Sequence, residues 1–256
     1  MAPRHRRLLI GAGVLAIVAF AVALAAWQVS RARCFALDGD IVCRAETQAP
    51  LVALTFDDGP TQLGVDAVLP VLERHGATAT FFLVGAAVER RPDLARRIRA
   101  AGHELGNHSY THQRMMLRPA AWYDSEIART EAALARAGGG GSGLFRPPYG
   151  KKLLGLPQAV ERAGLTMVMM DIEEPTTTDP AEYARKVVAA ARPGSILLLH
   201  TMVRGNQTAR DALPLILDGL KAKGLRPVSV GELMAGATRG TVSAPASDPG
   251  SGRSPP

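Results

Sequence analysis

At 256 residues, with 47% hydrophobic and 21% charged residues, the chain has an ordinary globular composition and is long enough to bury a real core, as one large domain or two small ones. The net charge of +7 excludes a nucleic-acid binder: residues 1–50 carry six Lys/Arg against three Asp/Glu and the rest carries 24 against 20, so there is no basic block to make an electrostatic footprint.

The chain opens with Arg4, Arg6 and Arg7 ahead of an uncharged apolar run from Leu8 to Val29. A helix of that length rises about 33 Å, enough to cross a bilayer, and the flanking arginines would keep the N-terminus in the cytoplasm. Small residues in VALAA would also suit a cleaved signal peptide, but the run is longer than the roughly 7–15 residues of a signal core, which favours a retained anchor. Either way the rest of the chain is exported. Cys34 and Cys43 flank Asp38-Gly39, a two-residue turn signal. A hairpin about that turn makes Cys34 and Cys43 a non-hydrogen-bonded pair, with Cα atoms about 4.5 Å apart, and predicts a disulfide suited to an oxidising compartment.

From Leu51 onward, short apolar runs alternate with amphipathic ones. LVALTF, ATATFFLV, HELGNH, LFRPP, TMVMMDI, SILLLH and RPVSV read as strands. Pro119–Gly138 reads as a helix that starts near proline and ends in glycine, and Asp179-Pro180 as an N-cap followed by the first helical residue. Seven strand–helix units in series predict a parallel sheet, most simply a closed or nearly closed β/α barrel, in which chemistry gathers at the C-terminal strand ends. The ionisable residues obey that rule: Asp57 and Asp58, His108, Arg146, Asp171 and His200 all follow the apolar part of a strand. The glycine-rich Gly138–Gly143 stretch reads as a loop with no phosphate-binding role, and residues 234–256, rich in Pro, Ser, Gly and Ala, as a disordered tail. The expected organisation is a cytoplasmic stub (1–7), a membrane anchor (8–29), a linker (30–50), a catalytic domain (51–233) and the tail.

Two adjacent aspartates at the end of a buried strand repel each other and lose hydration unless a cation holds them. His108 and His112 stand four residues apart and would share a face of a helical turn. With one aspartate they make a two-imidazole, one-carboxylate set that leaves positions open for water and substrate, as a catalytic metal site does. Zinc suits these donors first, with cobalt, nickel or iron also compatible. His103 reads as structural, His75 as surface, and the methionines at 115, 116, 167, 169, 170 and 202 as core filler.

TFDDGP, HSYTH, RPPYG and SILLLH, in this order and at these separations, resemble the motifs of the polysaccharide deacetylase family, also known as carbohydrate esterase family 4 or the NodB-homology domain. The resemblance covers about Leu51 to Leu233 and implies a distorted seven-stranded (β/α) barrel. It further implies Asp57 as general base, Asp58, His108 and His112 as metal ligands, and Arg146 as the residue orienting Asp57. Tyr149 would contribute a backbone N–H to the oxyanion site, His200 would be the general acid, and Pro148 and Leu198 would belong to the substrate site. Two positions depart from the family pattern: Gln113 replaces a proline, and Asp171-Ile-Glu-Glu174-Pro175 stands where Asp-x-x-Asp-Trp is usual, so that Glu174 and Asp171 are the candidates to tune the acid. The implied reaction is hydrolysis of N-acetyl groups on a glycan such as peptidoglycan, a chitin-like oligosaccharide or an exopolysaccharide. Alternatives are an O-acetyl esterase of the xylan type and a glycan-binding domain that has lost turnover. An aspartyl phosphatase is disfavoured because Phe56 occupies the nucleophile's place. The expected partners are the glycan and the membrane, the chain acting as a monomer.

Overall fold

The computed structural model describes residues 3–36, 39–152 and 154–240. Helix α1 (Pro3–Arg31) contains the apolar stretch Ile10–Val29, none of which is buried. Beyond it stands one parallel sheet. Its strands are β1 (Ile41–Val42), β2 (Leu51–Asp57), β3 (Thr80–Leu83), β4 (Glu104–Asn107), β5 (Leu144–Phe145), β6 (Thr166–Val168), β7 (Ile196–Leu199) and β8 (Arg226–Val228). The order is β1-β6-β5-β4-β3-β2-β7, with β8 added beside the start of β2. All seven strands expected from the sequence are present, and they curl until Ile172, just past β6, forms a parallel bridge to Leu197 of β7. The result is a nearly closed, distorted barrel.

Strand β2 shows why the barrel forms. All seven of its residues are buried, as expected of a parallel strand covered on both faces. Val52, Leu54 and Phe56 face an outer layer containing Val65, Leu72, Leu213 and Ile216, whereas Leu51 and Ala53 face an inner cluster with Phe82, Met169 and Leu198. This period of two puts Thr55 and Asp57 on the interior side as well. Helices α2 (Gln62–Arg74), α3 (Gly85–Arg90), α4 (Pro92–Ala100), α5 (Ala120–Arg136), α6 (Leu156–Arg162), α7 (Pro180–Ala190) and α8 (Gln207–Ala222) follow in chain order, and the outer layer comes largely from α2, α4, α7 and α8. Asp179 caps α7 as expected, its carboxylate accepting from the Ala181 N–H.

The structure differs from the sequence reading at both ends of the domain. The Cys34–Cys43 disulfide is present, with Cα atoms 5.5 Å apart, but Ile41–Val42 pairs in parallel with Met167–Val168 rather than with Cys34–Ala36. No hairpin is formed among the described residues, and Asp38 lies outside them. The presumed linker instead belongs to the sheet, because Ile41 and Val42 find an apolar edge in β6. At the other end, helix α9 (Val230–Gly240) runs past the expected boundary at Leu233, and Met234 and Ala237 pack on the inner cluster. The rest of the expected tail, 241–256, lies outside the described residues. His75 is less exposed than expected: its side chain is 19% accessible and faces Asp218.

Candidate active site

The C-terminal ends of β2, β4, β5 and β7 meet at a cleft of about 460 Å³, lined by residues that include Asp57, Asp58, His108, His112, Glu174 and His200. Asp57, the last residue of β2, is 3% exposed. Its Oδ1 accepts from Arg146 Nη1 at 2.7 Å. Arg146 itself is fully buried. It also donates from Nη1 to Thr55 Oγ1 (2.7 Å), from Nη2 to the Met169 carbonyl (2.9 Å) and from Nε to the Val168 carbonyl (3.2 Å), and its guanidinium lies 4.1 Å from the centre of the Phe82 ring. With its donors shared out this way, the guanidinium has a single orientation, and so does the carboxylate it holds.

Asp58 would point to the opposite face if the strand continued. Its backbone is left-handed instead (φ 69°), which swings the carboxylate back into the cleft. Oδ1 of Asp58 lies 3.0 Å from His112 Nε2 and 3.7 Å from His108 Nε2. One donor atom from each of these three residues falls within 4.8 Å of the others, a spacing compatible with one metal ion. His108 Nδ1 lies 2.7 Å from the Arg146 carbonyl, a contact that fixes the proton on Nδ1 and leaves Nε2 as a free lone pair directed at Asp58, the tautomer a ligand needs. Burial lowers the His108 pKa against the pull of Asp57 and Asp58, so the neutral form is favoured. Burial would raise the Asp58 pKa, but the His112 hydrogen bond, together with the charged His200 across the cleft, holds it below the usual value. The donor set therefore fits a divalent ion.

The histidine pair is not helical. His108 follows β4 into a loop in which Ser109 (φ 60°) and His112 (φ 58°) are left-handed, and the two rings end 5.0 Å apart. Of the five left-handed non-glycine residues among those described, four, Asp58, Ser109, His112 and Tyr149, lie in or beside this cleft, a concentration of backbone strain typical of functional sites. Helix α5 (Ala120–Arg136) holds the loop. Glu126, buried in that helix, accepts from the Tyr110 N–H (3.0 Å) and the Thr111 N–H (2.8 Å). Asn107 braces the loop start, accepting from the Ser109 N–H at 3.0 Å and donating to Glu131 Oε1 at 2.9 Å. The sequence reading missed both residues. A signal for Glu126 was there, since it shares the helical stripe of Tyr123, Ile127, Thr130 and Leu134 and so is a carboxylate on a buried face.

Across the cleft His200 follows β7. Its backbone N–H donates to Glu174 Oε1 at 2.6 Å, its Nδ1 lies 3.2 Å from Glu174 Oε2, and Asn206 Nδ2 donates to both carboxylate oxygens. Burial alone would lower the His200 pKa. The Glu174 hydrogen bond and the charges of Asp57, Glu174 and Asp58 outweigh it and push the pKa up to about 9, so the imidazolium is the resting form. Asp171 is not brought to the cleft. Its carboxylate accepts from Ser195 Oγ (2.9 Å) and the Ile196 N–H (2.7 Å), which makes it a brace at the start of β7, because the chain turns between Met170 and Ile172 to complete the barrel bridge. Leu198 and Tyr149 line the cleft; Pro148 is buried behind Tyr149, whose ring stands 4.9 Å from that of His112.

Residues 44–168 match the family described as Polysaccharide deacetylase. A peptidoglycan-N-acetylglucosamine deacetylase of Bacillus cereus is 34% identical over 185 residues, which are 70% of this chain and 66% of that protein. A chitooligosaccharide deacetylase of Sinorhizobium fredii is 36% identical over 168 residues, 62% of this chain and 75% of that protein. The chain thus spans just under two thirds of the Bacillus relative's length and three quarters of the Sinorhizobium one's. Among solved structures, the Bc1960 peptidoglycan N-acetylglucosamine deacetylase in complex with a naphthalenyl N-hydroxybenzamide superposes with a TM-score of 0.71 at 30% identity, over 76% of this chain and 92% of that one. By fold, by sequence and by the residues gathered at the strand ends, the chain belongs to the polysaccharide deacetylase family.

Proposed function

We propose that this protein is a metal-dependent hydrolase that removes N-acetyl groups from an N-acetylhexosamine-containing glycan, releasing acetate. The observation that carries the reading is the pairing, across one cleft, of a buried carboxylate fixed by arginine with a histidine held protonated by a glutamate, beside three donors spaced for one ion. A divalent ion, zinc first by donor type, would be held by Asp58, His108 and His112 and would supply Lewis-acid polarisation of the acetamide carbonyl and of the attacking water.

The chain's own residues account for the proton movements. Asp57 accepts the proton of the attacking water, and Arg146 holds its carboxylate in the orientation for doing so. The tetrahedral oxyanion is received by the Tyr149 backbone N–H, presented by a left-handed residue at the cleft wall. His200, protonated through Glu174, gives its proton to the departing sugar amine. Leu198, with Pro148 behind Tyr149, walls the space for the acetyl methyl. Glu174 thus serves in place of the shorter aspartate of the family pattern. Helix α1 would anchor the enzyme in the cytoplasmic membrane with its catalytic domain outside, where the glycan lies.

Acetate release from N-acetylglucosamine oligomers by the full-length protein tests the reading, with metal content measured on the same sample. Release should stop with chelator and return with zinc. Binding of the oligomer with no release under any divalent metal would instead identify a glycan-binding domain.

A further inference from the structure

The segment that leaves α1 does not hang free of the catalytic domain. Lys152, 2% exposed, donates from Nζ to the Ala32 carbonyl at 2.7 Å, at the C-terminal end of α1, where a cation suits the helix dipole. Arg33 pairs with Glu173, next in the chain to Glu174. The Cys34–Cys43 disulfide then rests on the Met170 carbonyl, its sulfurs 3.7 and 3.6 Å away, and Ile41–Val42 joins β6. Arg33, Lys151, Met170 and Glu173 all line the active cleft. The exit of the apolar helix and one wall of the cleft are therefore the same piece of structure.

This fixes a distance. The apolar stretch ends at Val29, and Arg33 is four residues on, which a fully extended chain covers in at most about 14 Å. The headgroup layer of one leaflet takes up about 5–8 Å of that. The cleft rim then stands at or just above the membrane surface, and it is held there by a buried lysine, an ion pair, a disulfide and two strand residues rather than by a flexible tether. A glycan tens of ångströms away is out of reach for such a cleft.

We infer that the substrate is a glycan covalently joined to a membrane lipid, whose N-acetyl sugar lies beside the bilayer. The inference rests on the N-deacetylase reading and on α1 spanning the membrane. The test uses the full-length chain in phosphatidylethanolamine/phosphatidylglycerol vesicles and two substrates, a soluble N-acetylglucosamine tetramer and the same tetramer joined through a phosphate to a long alkyl chain inserted in the vesicles. Acetate release per unit of substrate should be about tenfold faster from the lipid-joined tetramer. A fifteen-residue Gly/Ser insertion between Ser30 and Arg31, which adds a flexible stand-off of about 20 Å, should erase that ratio while leaving release from the soluble tetramer unchanged. Equal rates on the two substrates before insertion, or a ratio that survives it, would overturn the inference and leave the deacetylase reading standing. No release from either substrate would overturn both.

Discussion

On one side of the cleft Asp57 is 3% exposed and held by Arg146, which is fully buried; on the other, the side chains of Glu174 and His200 are 22% and 34% exposed. Both are ion pairs between a carboxylate and a cation, but they do different physical work. The Asp57–Arg146 pair has no water to replace either partner, so each is tolerable only because the other is present. The Glu174–His200 pair remains partly solvated, so its geometry sets a protonation state more than it holds the fold together. Breaking the first should damage both protein and chemistry, and breaking the second should damage chemistry alone.

The sharpest test on the buried side keeps the shape and removes the charge. Asp57→Asn should cut acetate release by about 10³-fold or more while the metal stays bound, since the base is lost and the ligands are untouched. Loss of metal, measured by elemental analysis of the purified variant, would mean that the roles of the two aspartates are exchanged. Next in size, Arg146→Ala leaves Asp57 buried without its cation and should cost about 3–5 kcal/mol of unfolding free energy in denaturant titrations. A variant as stable as the parent would refute the claim that this pair holds the barrel interior. Glu126→Ala acts one step further out. It frees the Tyr110 and Thr111 N–H groups and slackens the loop carrying His112, so metal affinity measured by competition with a chelator should fall about tenfold, with little change in the pH profile.

The same contrast explains how much was legible in the sequence. Strands β2, β5 and β7 announce themselves as apolar runs that stop at Asp57, Arg146 and His200, because a parallel strand must be apolar on both faces and its chemistry can only begin where it ends. What the spacing did not carry is backbone handedness. Alternation would send Asp57 and Asp58 to opposite faces, and it is the left-handed Asp58 that turns both carboxylates into one cleft. His108 and His112 fit a helical turn by number, yet a loop with two left-handed residues joins them. Asp171, read as catalytic from the family pattern, is spent on Ser195 and Ile196, while Glu174 three residues later does reach His200. In segment 30–50 the cysteine spacing did announce the disulfide, but the hairpin it suggested is replaced by parallel pairing of Ile41–Val42 with β6, a partner more than a hundred residues on that no local signal names.

The smallest expected effect lies on the exposed side and separates positioning from structure. The Glu174 hydrogen bond, with the charges of Asp57, Glu174 and Asp58, raises the His200 pKa from the ordinary 6.5 to about 9 against the opposing effect of burial. A raised folded-state pKa stabilises the fold fully below about 6.5, and that contribution is lost as the pH climbs through about 9. Because the general acid must be protonated, kcat/KM for acetate release should fall on the alkaline side with an apparent pKa above the ordinary 6.5. In Glu174→Gln the hydrogen bond is weakened and the charge removed, so the alkaline limb should move down toward 6.5. At pH 6 the variant should keep most of its activity, at pH 8 it should lose most of it, and its unfolding midpoint should barely move, since the pair is partly solvated. Glu174→Asp, the residue of the family pattern, should restore part of the alkaline limb if its shorter side chain still reaches Nδ1. An alkaline limb unchanged in Glu174→Gln would show that Asp57 and Asp58, and not the glutamate, keep His200 charged, and the two walls of the cleft would then be one electrostatic unit rather than two.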